Sequence, residues 1–329
     1  MNNSKLLSYL RLMRFANVFT AIADIAMGYL VATQSFKPWP VFACLCLASS
    51  LMYLAGMILN DLYDVEVDRV ERPQRPLPSG AISLSTARWM GYGFLFGGCA
   101  LGGLAGWLHH SVFAAADGEV GLMWRSGAFS LLLAICVVTY DRFLKKTPLG
   151  PVAMGACRFF NVLLGMSMAG EVGGPAWAFY LTPPFFVIAG GIGVYIAGVT
   201  LFAKTEARAS NRWMLAAGIA VMVAGLAILA SITLFDLRPL RIWLSPQIKM
   251  LWPLMMVLIS VGVMRVSITA VLEPHPSRVQ AAVKQSLLTL IVLDACICML
   301  AASQHPLYAV GVLALLAPML WLGRWMHST

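Results

Sequence analysis

Acidic residues recur at helical spacing directly after the second apolar segment of the sequence, in the stretch ILNDLYDVEVDRVERPQRPLPSG. If the helix continues through this stretch, Asp61, Asp64 and Asp68 fall on one face, and Asn60 lies one turn before Asp64. Three carboxylates on one stripe repel one another unless a positive charge lies among them. Mg²⁺ is the natural occupant, because proteins bind it through one or two carboxylates together with water and substrate phosphate oxygens.

Arginines and prolines follow these acids. Arg69, Arg72 and Arg75 are suited to a phosphate group, since a guanidinium can donate two parallel hydrogen bonds to it. The prolines between positions 73 and 78 end the helix. The stretch therefore predicts a diphosphate and magnesium site at the end of a helix. The alternative is a solvated acidic loop that its basic neighbours balance.

Several polar residues lie inside apolar segments, where a charge is costly and marks a functional site by default. Asn17 and Asp24 lie in the first segment, and Arg158 and Asn161 lie one turn apart in the fifth. We expect all four to face a polar central cavity. The alternative is an Asp24–Arg158 pair that only holds helices together. Asp294, in the ninth segment, has no evident partner and is interpreted as structural.

The elements that carry these residues are membrane helices. The chain of 329 residues is 60% hydrophobic and only 11% charged, whereas soluble domains contain about 25% charged residues. The fold class is therefore predicted to be all-α, a polytopic bundle of nine to ten transmembrane helices in one domain over residues 1–329. Windows of about twenty apolar residues place the segments at 15–33, 39–60, 88–108, 122–140, 149–169, 176–202, 213–235, 250–270, 286–303 and 306–325.

Lys and Arg are distributed unequally between the connecting loops. With the N-terminus inside, 17 of the 23 lie on the inner side, five on the outer side, and Arg158 within a helix. Because positive charge accumulates on the cytoplasmic side, we expect both termini in the cytoplasm. The membrane is expected to be a bacterial inner membrane, and inner loops 61–87 and 203–212 are expected to form a polar cap. The net charge of +9 then requires no nucleic-acid partner, and no protein partner is indicated.

The acidic stretch closely resembles the first aspartate-rich motif of the UbiA superfamily of intramembrane prenyltransferases. The resemblance continues in LRLMRFANVF near the start and in YDRFLKKTPLGPVAMGACRFFNVLLG in the middle, and it covers at least residues 5–212. It implies a helical bundle, typically of nine spans, embedded in membrane lipid. It also implies transfer of a prenyl group from an allylic polyprenyl diphosphate to an aromatic or lipid-like acceptor, with Mg²⁺ as the cofactor.

The resemblance also implies roles for individual residues. Asn60, Asp61, Asp64 and Asp68 would hold the metal, and Tyr140 with Lys145 or Lys146 would match the family's tyrosine and lysine pair. Catalytic roles are expected for Asp61, Asp64, Asp68, Tyr140 and Lys145, and substrate contacts for Asn17, Asn60, Arg72, Arg75, Lys146, Arg158, Asn161, Lys204 and Glu206. Aromatic faces that could stabilise a carbocation are offered by Phe159, Phe160 and Tyr195, although such residues more often belong to a core.

The family's second aspartate-rich motif should lie around positions 195–208, where the sequence reads YIAGVTLFAKTEARAS and Glu206 is the one acid. Because Lys204, Arg208 and Arg212 are its neighbours, diphosphate would be bound there more through cations than through a second metal ion. The segment is similar to that of the EboC-like subgroup. This departure keeps a second hypothesis open, namely a catalytically impaired protein that binds or helps transport an isoprenoid or a metabolite precursor.

Overall fold

The computed structural model describes residues 3–117, 123–170, 179–204, 211–240, 242–302 and 305–327. These residues form helices without any strand among them. In chain order the α-helices are α1 (Asn3–Leu12), α2 (Val18–Thr33), α3 (Trp39–Tyr63), α4 (Val65–Glu71), α5 (Leu84–Asp117), α6 (Arg125–Thr139), α7 (Gly150–Gly165), α8 (Pro183–Ala203), α9 (Arg212–Ala230), α10 (Pro246–Leu272), α11 (Pro276–Ala301), α12 (Pro306–Leu313) and α13 (Leu316–His327).

Ten helical stretches in the described part of the chain are long and apolar enough to cross a membrane. Each of them overlaps one of the ten apolar segments of the sequence, which confirms the all-α polytopic prediction. The tenth stretch, Pro306–Arg324, runs through both α12 and α13. The short helices α1 and α4 are not among the spans, and α4 carries the end of the acidic stretch.

Helix α2 lies at the centre of the bundle, since 72% of the most apolar part of its span is buried against 22% for α10 and 11% for the last span. It packs against α3, α7 and α11. A glycine permits the close approach of α2 to α7, because a Cβ on Gly28 would lie 2.7 Å from the backbone oxygen of Val162. Backbone contact of this kind is typical of helix pairs in membranes, where small residues allow helices to pack tightly.

The acidic stretch keeps its helical course across the junction of α3 and α4. The Asp64 amide donates to the Asn60 carbonyl at 3.1 Å, and the Asp68 amide donates to the Asp64 carbonyl at 2.8 Å. The helix thus continues through Asp68, as predicted, and only the backbone at Asp64 deviates. After Arg72 the chain turns back through Gly80, whose φ of 75° favours glycine.

A π-helical turn, Tyr140–Leu144, follows α6. The Lys145 amide reaches the Tyr140 carbonyl at 2.9 Å, so this turn holds one residue more than an α-helical turn. Single π turns of this kind occur often at functional sites. Its consequence here is that Asp141 and Lys145 both approach the end of α3, where Asn60 lies.

Candidate active site

A cavity lies between α2, α3, α6 and α7, and the acidic stretch lies beyond one end of it. It holds about 80 Å³ of free space, which is room for several water molecules and not for a polyprenyl chain. Its walls are apolar over most of their area, with Met52, Leu133 and Val137 among the lining residues. Polar groups line it at two places, where Tyr140 and Asp141 lie and where Arg158 and Asn161 lie.

Two of the motif acids are bound by arginines that come from different parts of the chain. Asp61 accepts hydrogen bonds from Arg14 at 3.2 Å and from Arg75 at 3.3 Å, and Asp68 accepts one from Arg75 at 2.7 Å. Both acids are buried. Burial is the largest influence on the pKa of the Arg14 guanidinium and lowers it, but Asp61 together with Tyr53 and Tyr140 leaves that pKa raised.

The third motif acid is bound by the two lysines that follow the π turn. Asp64 lies 2.7 Å from the Lys145 ammonium and 3.3 Å from that of Lys146. Lys145 also donates to the Asn60 carbonyl at 3.1 Å. Its side chain is 10% exposed, against 66% for Lys146. The structure therefore distinguishes between the two lysines that the sequence left open, because only Lys145 is held inside the site.

Asp141 is a site residue that was not predicted. It is buried, and its Oδ1 accepts a hydrogen bond from the Asn60 amide at 3.0 Å. No described group donates to its Oδ2, and the residue lines the cavity. The sequence contained a signal for it, namely an acid next to Tyr140 at the end of an apolar segment. Periodicity gave no reason to place it beside Asn60, because the π turn shifts the helical phase.

The donor set fits a hard divalent cation that is bound together with a substrate. Within this cluster two buried carboxylate oxygens receive no hydrogen bond from a described residue, namely Asp64 Oδ1, which lies 3.3 Å from the Lys146 ammonium, and Asp141 Oδ2. Mg²⁺ prefers such oxygens. Among the described residues, no cluster of three or more His, Cys, Asp or Glu could hold a metal without help. Phosphate oxygens and water would therefore have to complete the coordination, as is usual for Mg²⁺.

The other residues that the sequence predicted to contact the substrate make few contacts with this cluster of acids and cations. Asn17 lies close to Tyr53, which lines the cavity. The Arg72 side chain makes no ion pair or hydrogen bond with a described residue, whereas Lys204 donates to the Thr147 carbonyl at 2.9 Å, just beyond the two lysines. Glu206 lies outside the described residues, as does Arg208.

The polar residues predicted inside the spans form one network at the other polar part of the cavity. Arg158 donates to Asp24 at 2.8 Å and to Thr20 at 2.6 Å. Asn161 donates to Asp24 at 2.9 Å and accepts from Ser49 at 2.6 Å. The Asp24–Arg158 pair that the sequence offered as the alternative does form. Of the four residues expected to face the cavity, Arg158 and Asn161 line it, whereas Asn17 and Asp24 are not among its lining residues.

The aromatic residues suggested for carbocation stabilisation do not line the cavity. Tyr195 is fully buried and donates to the Ser286 carbonyl at 2.9 Å. Phe159 packs edge-on against Phe160, with ring centroids 5.2 Å apart. The core interpretation is therefore correct for Tyr195, and the aromatic faces in the lining of the cavity belong to Tyr53 and Tyr140.

Comparison with known proteins gives a family match over most of the chain. The model of the UbiA prenyltransferase family matches residues 21–288. Digeranylgeranylglyceryl phosphate synthase of Metallosphaera sedula is 36% identical over 140 residues, which are 42% of this chain and 43% of that protein. The enzyme of the same name from Sulfolobus acidocaldarius is 43% identical over 81 residues, 25% of this chain and 29% of that protein. The chain thus spans less than half the length of these relatives.

Solved structures show the same fold at low sequence identity. A UbiA homolog from Archaeoglobus fulgidus, bound to GPP and Mg²⁺, has a TM-score of 0.59 and 16% identity, covering 93% of this chain and 99% of that one. A UbiA homolog from Aeropyrum pernix, in its apo form, has a TM-score of 0.56 and 16% identity, covering 84% and 95%. The likeness extends over nearly the whole bundle.

Proposed function

The chain belongs to the UbiA prenyltransferase family, and on that premise we propose that it transfers an isoprenoid group from an allylic polyprenyl diphosphate to an aromatic or lipid-like acceptor, with Mg²⁺. The observation that carries the proposal is the meeting of Arg14, Arg75, Lys145 and Lys146 with the three motif acids beside the cavity. The names of the relatives, synthases of a prenylated glyceryl phosphate, support a lipid-like acceptor.

The four cations in this cluster are the groups that would bind the leaving diphosphate. They now neutralise Asp61, Asp64 and Asp68, so each can exchange a carboxylate for a phosphate oxygen when metal and substrate arrive together. Bound Mg²⁺ would neutralise charge on the departing diphosphate. Asn60, Asp61, Asp64 and Asp68 would hold it, and Asp141 offers a further oxygen on the side of the cavity.

The apolar walls of the cavity would shield the allylic cation that forms when the C–O bond breaks. Exclusion of water prevents hydrolysis of such a reactive species. Tyr140 and Tyr53 line the space, and an aromatic face can stabilise a desolvated cation by about 2 kcal/mol. A polyprenyl chain would extend beyond the cavity, because about 80 Å³ is too small for it. Arg158 and Asn161 would orient the acceptor.

The distribution of charge supports an orientation with both termini and the diphosphate site on the cytoplasmic side. In this proposal residues 1–329 form one domain in a bacterial inner membrane, and loops 61–87 and 203–212 form its polar cap. The subgroup that the sequence suggested, EboC-like, stays a prediction, and the curated relatives matched here are archaeal.

Turnover by purified protein in nanodiscs tests the proposal. Allylic diphosphates of increasing length would be supplied with Mg²⁺ and either aromatic acids or prenylated glyceryl phosphates, and pyrophosphate release and product mass would be measured. Asp64→Asn should lower turnover by at least about 10²-fold, the loss typical when one group that stabilises transition-state charge is removed. Glu66→Gln is the matched control, since Glu66 is 75% exposed and pairs only with Arg69 among the described residues.

The same experiment distinguishes the enzyme from a carrier. Diphosphate binding that depends on Mg²⁺ and on Asp64, with no product from any acceptor, would favour the protein that binds or transports an isoprenoid. The single acid, Glu206, in the segment around positions 195–208 supports that alternative. Equal turnover in the Asp64→Asn and Glu66→Gln proteins would contradict both readings of the acidic stretch.

A further inference from the structure

Two carboxyl groups lie together in the interior of the bundle, away from the acidic stretch. Asp24 of α2 and Asp294 of α11 are each fully buried, and their carboxyl groups lie close enough for each to act on the charge of the other. The two helices pack side by side. Asp294 lies beyond the residues that the family model matches, and the proposed reaction makes no use of it.

Arg158 is the positive charge that acts on both acids. Arg158 donates to Oδ2 of Asp24 at 2.8 Å, and Asn161 donates to the same oxygen at 2.9 Å. No described N–H or O–H group donates to Oδ1 of Asp24 or to either oxygen of Asp294. Three acidic oxygens therefore lie in one buried place without a donor. The other titratable side chains near the pair, Tyr53 of α3 and Cys296 and Cys298 of α11, carry no positive charge.

Charge balance indicates what is missing. Two ionised carboxylates and one guanidinium would leave a net charge of −1 in the apolar interior of a membrane protein, which costs several kcal/mol. Two carboxyl groups in contact also repel each other unless one of them donates a hydrogen bond. A single positive charge between them removes both penalties.

We propose that Asp24 and Asp294 bind one proton between them, which makes the Asp24–Asp294–Arg158 cluster neutral and attaches α11 to the core formed by α2 and α7. The proton is held on the side of Asp24 that faces away from Arg158. Asp294 is in this sense a positioning residue, because it fixes Asp24, and Asp24 in turn orients Arg158 at the wall of the cavity. A small alkali cation is the competing occupant.

Infrared spectroscopy of the full-length protein in nanodiscs tests the proposal directly. In mildly alkaline buffer the exposed carboxyls are ionised, so the carbonyl-stretch band of a protonated carboxylic acid reports buried protons. We expect Asp294→Asn to lose a band of one carboxyl per chain. We expect Asp24→Asn to lose the same band, because Asp294 then becomes the one counter-charge of Arg158. Arg158→Gln should gain a second protonated carboxyl.

The thermal unfolding temperature gives a second measurement, which tests the proposal even if one variant fails to fold. Asp294→Asn replaces the protonated acid by a neutral donor of the same shape, so its thermal unfolding temperature should match that of the parent, whereas Asp294→Ala should lower it. An Asp294→Asn spectrum identical to that of the parent would overturn the proposal. A parent without the band whose unfolding temperature rises with sodium, and not with choline, would identify a bound metal cation instead.

Discussion

At the scale of single residues, Lys145 and Lys146 are neighbours of the same type with different surroundings. Lys145 is nearly buried and binds both the Asp64 carboxylate and the Asn60 carbonyl. Lys146 is 66% exposed and touches Asp64 at 3.3 Å. Exposed ion pairs contribute little, because solvent screens them and the long side chain loses entropy.

We therefore expect Lys145→Met to lower prenyl transfer far more than Lys146→Met does. The loss at Lys145 should be about 10–100-fold, the range for residues that orient a metal site, while the loss at Lys146 should stay within a few-fold. Initial rates at saturating metal measure both. A larger loss at Lys146 would mean that the substrate, when bound, rearranges the end of the π turn.

Asp141 gives a second prediction at this scale. Asp141→Asn keeps the shape of the side chain and removes the anionic oxygen that faces the cavity, so we expect the concentration of Mg²⁺ needed for half-maximal turnover to rise about 10–100-fold. A magnesium titration of the initial rate measures this shift. Asp236→Asn is the control, because Asp236 pairs with Arg238 on the surface. An unchanged titration would exclude Asp141 from the metal site.

At the scale of elements, the close contact where α2 crosses α7 positions the residues that form one wall of the cavity. The Cα of Gly165 would lie 3.1 Å from a Cβ built on Gly28, and the Val162 carbonyl oxygen would lie 2.7 Å from it. The helices that carry Asp24, Arg158 and Asn161 therefore meet at backbone distance. A larger residue at this crossing would move the network and the cavity wall together.

Gly28→Ala should destabilise the protein by about 1–3 kcal/mol, the usual range for overpacking a tight contact. Gly93→Ala in α5 is the matched control, because a Cβ there meets nothing within 4 Å and alanine is the better helix former. Thermal unfolding in one detergent compares the two variants. If both unfold at the same temperature, the α2–α7 contact is looser than the structure indicates.

The sequence predicted the helices better than it predicted their meeting points. Spans are local, so apolar windows found all ten, although α11 begins at Pro276, ten residues before the predicted start at 286. The first turns of α11 carry Lys284 and other polar residues, so a window chosen for apolar residues leaves them out of the predicted span. The Asp24–Asp294 contact joins residues 270 positions apart and depends on packing, as does the position of Asp141 after the π turn. No periodicity within one segment can reveal either.

At the scale of the whole molecule, the four cations of the site tie separate parts of the chain together. Arg14 precedes α2, Arg75 follows α4, and Lys145 follows the π turn after α6. Each now reaches an acid at the end of α3 or in α4. A ligand that engages all of them would link these elements at once, so binding should be visible as a change in global stability.

We expect Mg²⁺ with pyrophosphate to raise the unfolding temperature of the protein, because a ligand at about 100 times its Kd adds about 2.7 kcal/mol of stability. Neither component alone should do so, since the acids lack a metal in one case and the cations stay paired with the acids in the other. Chelation by EDTA should reverse the gain. The unfolding temperature of the Asp64→Asn protein should not rise with Mg²⁺ and pyrophosphate, whereas that of the Glu66→Gln protein should rise as much as that of the parent. An equal rise in the unfolding temperature of both variants would mean that pyrophosphate binds to surface cations, because binding at a site that includes Asp64 should be lost in the Asp64→Asn protein alone.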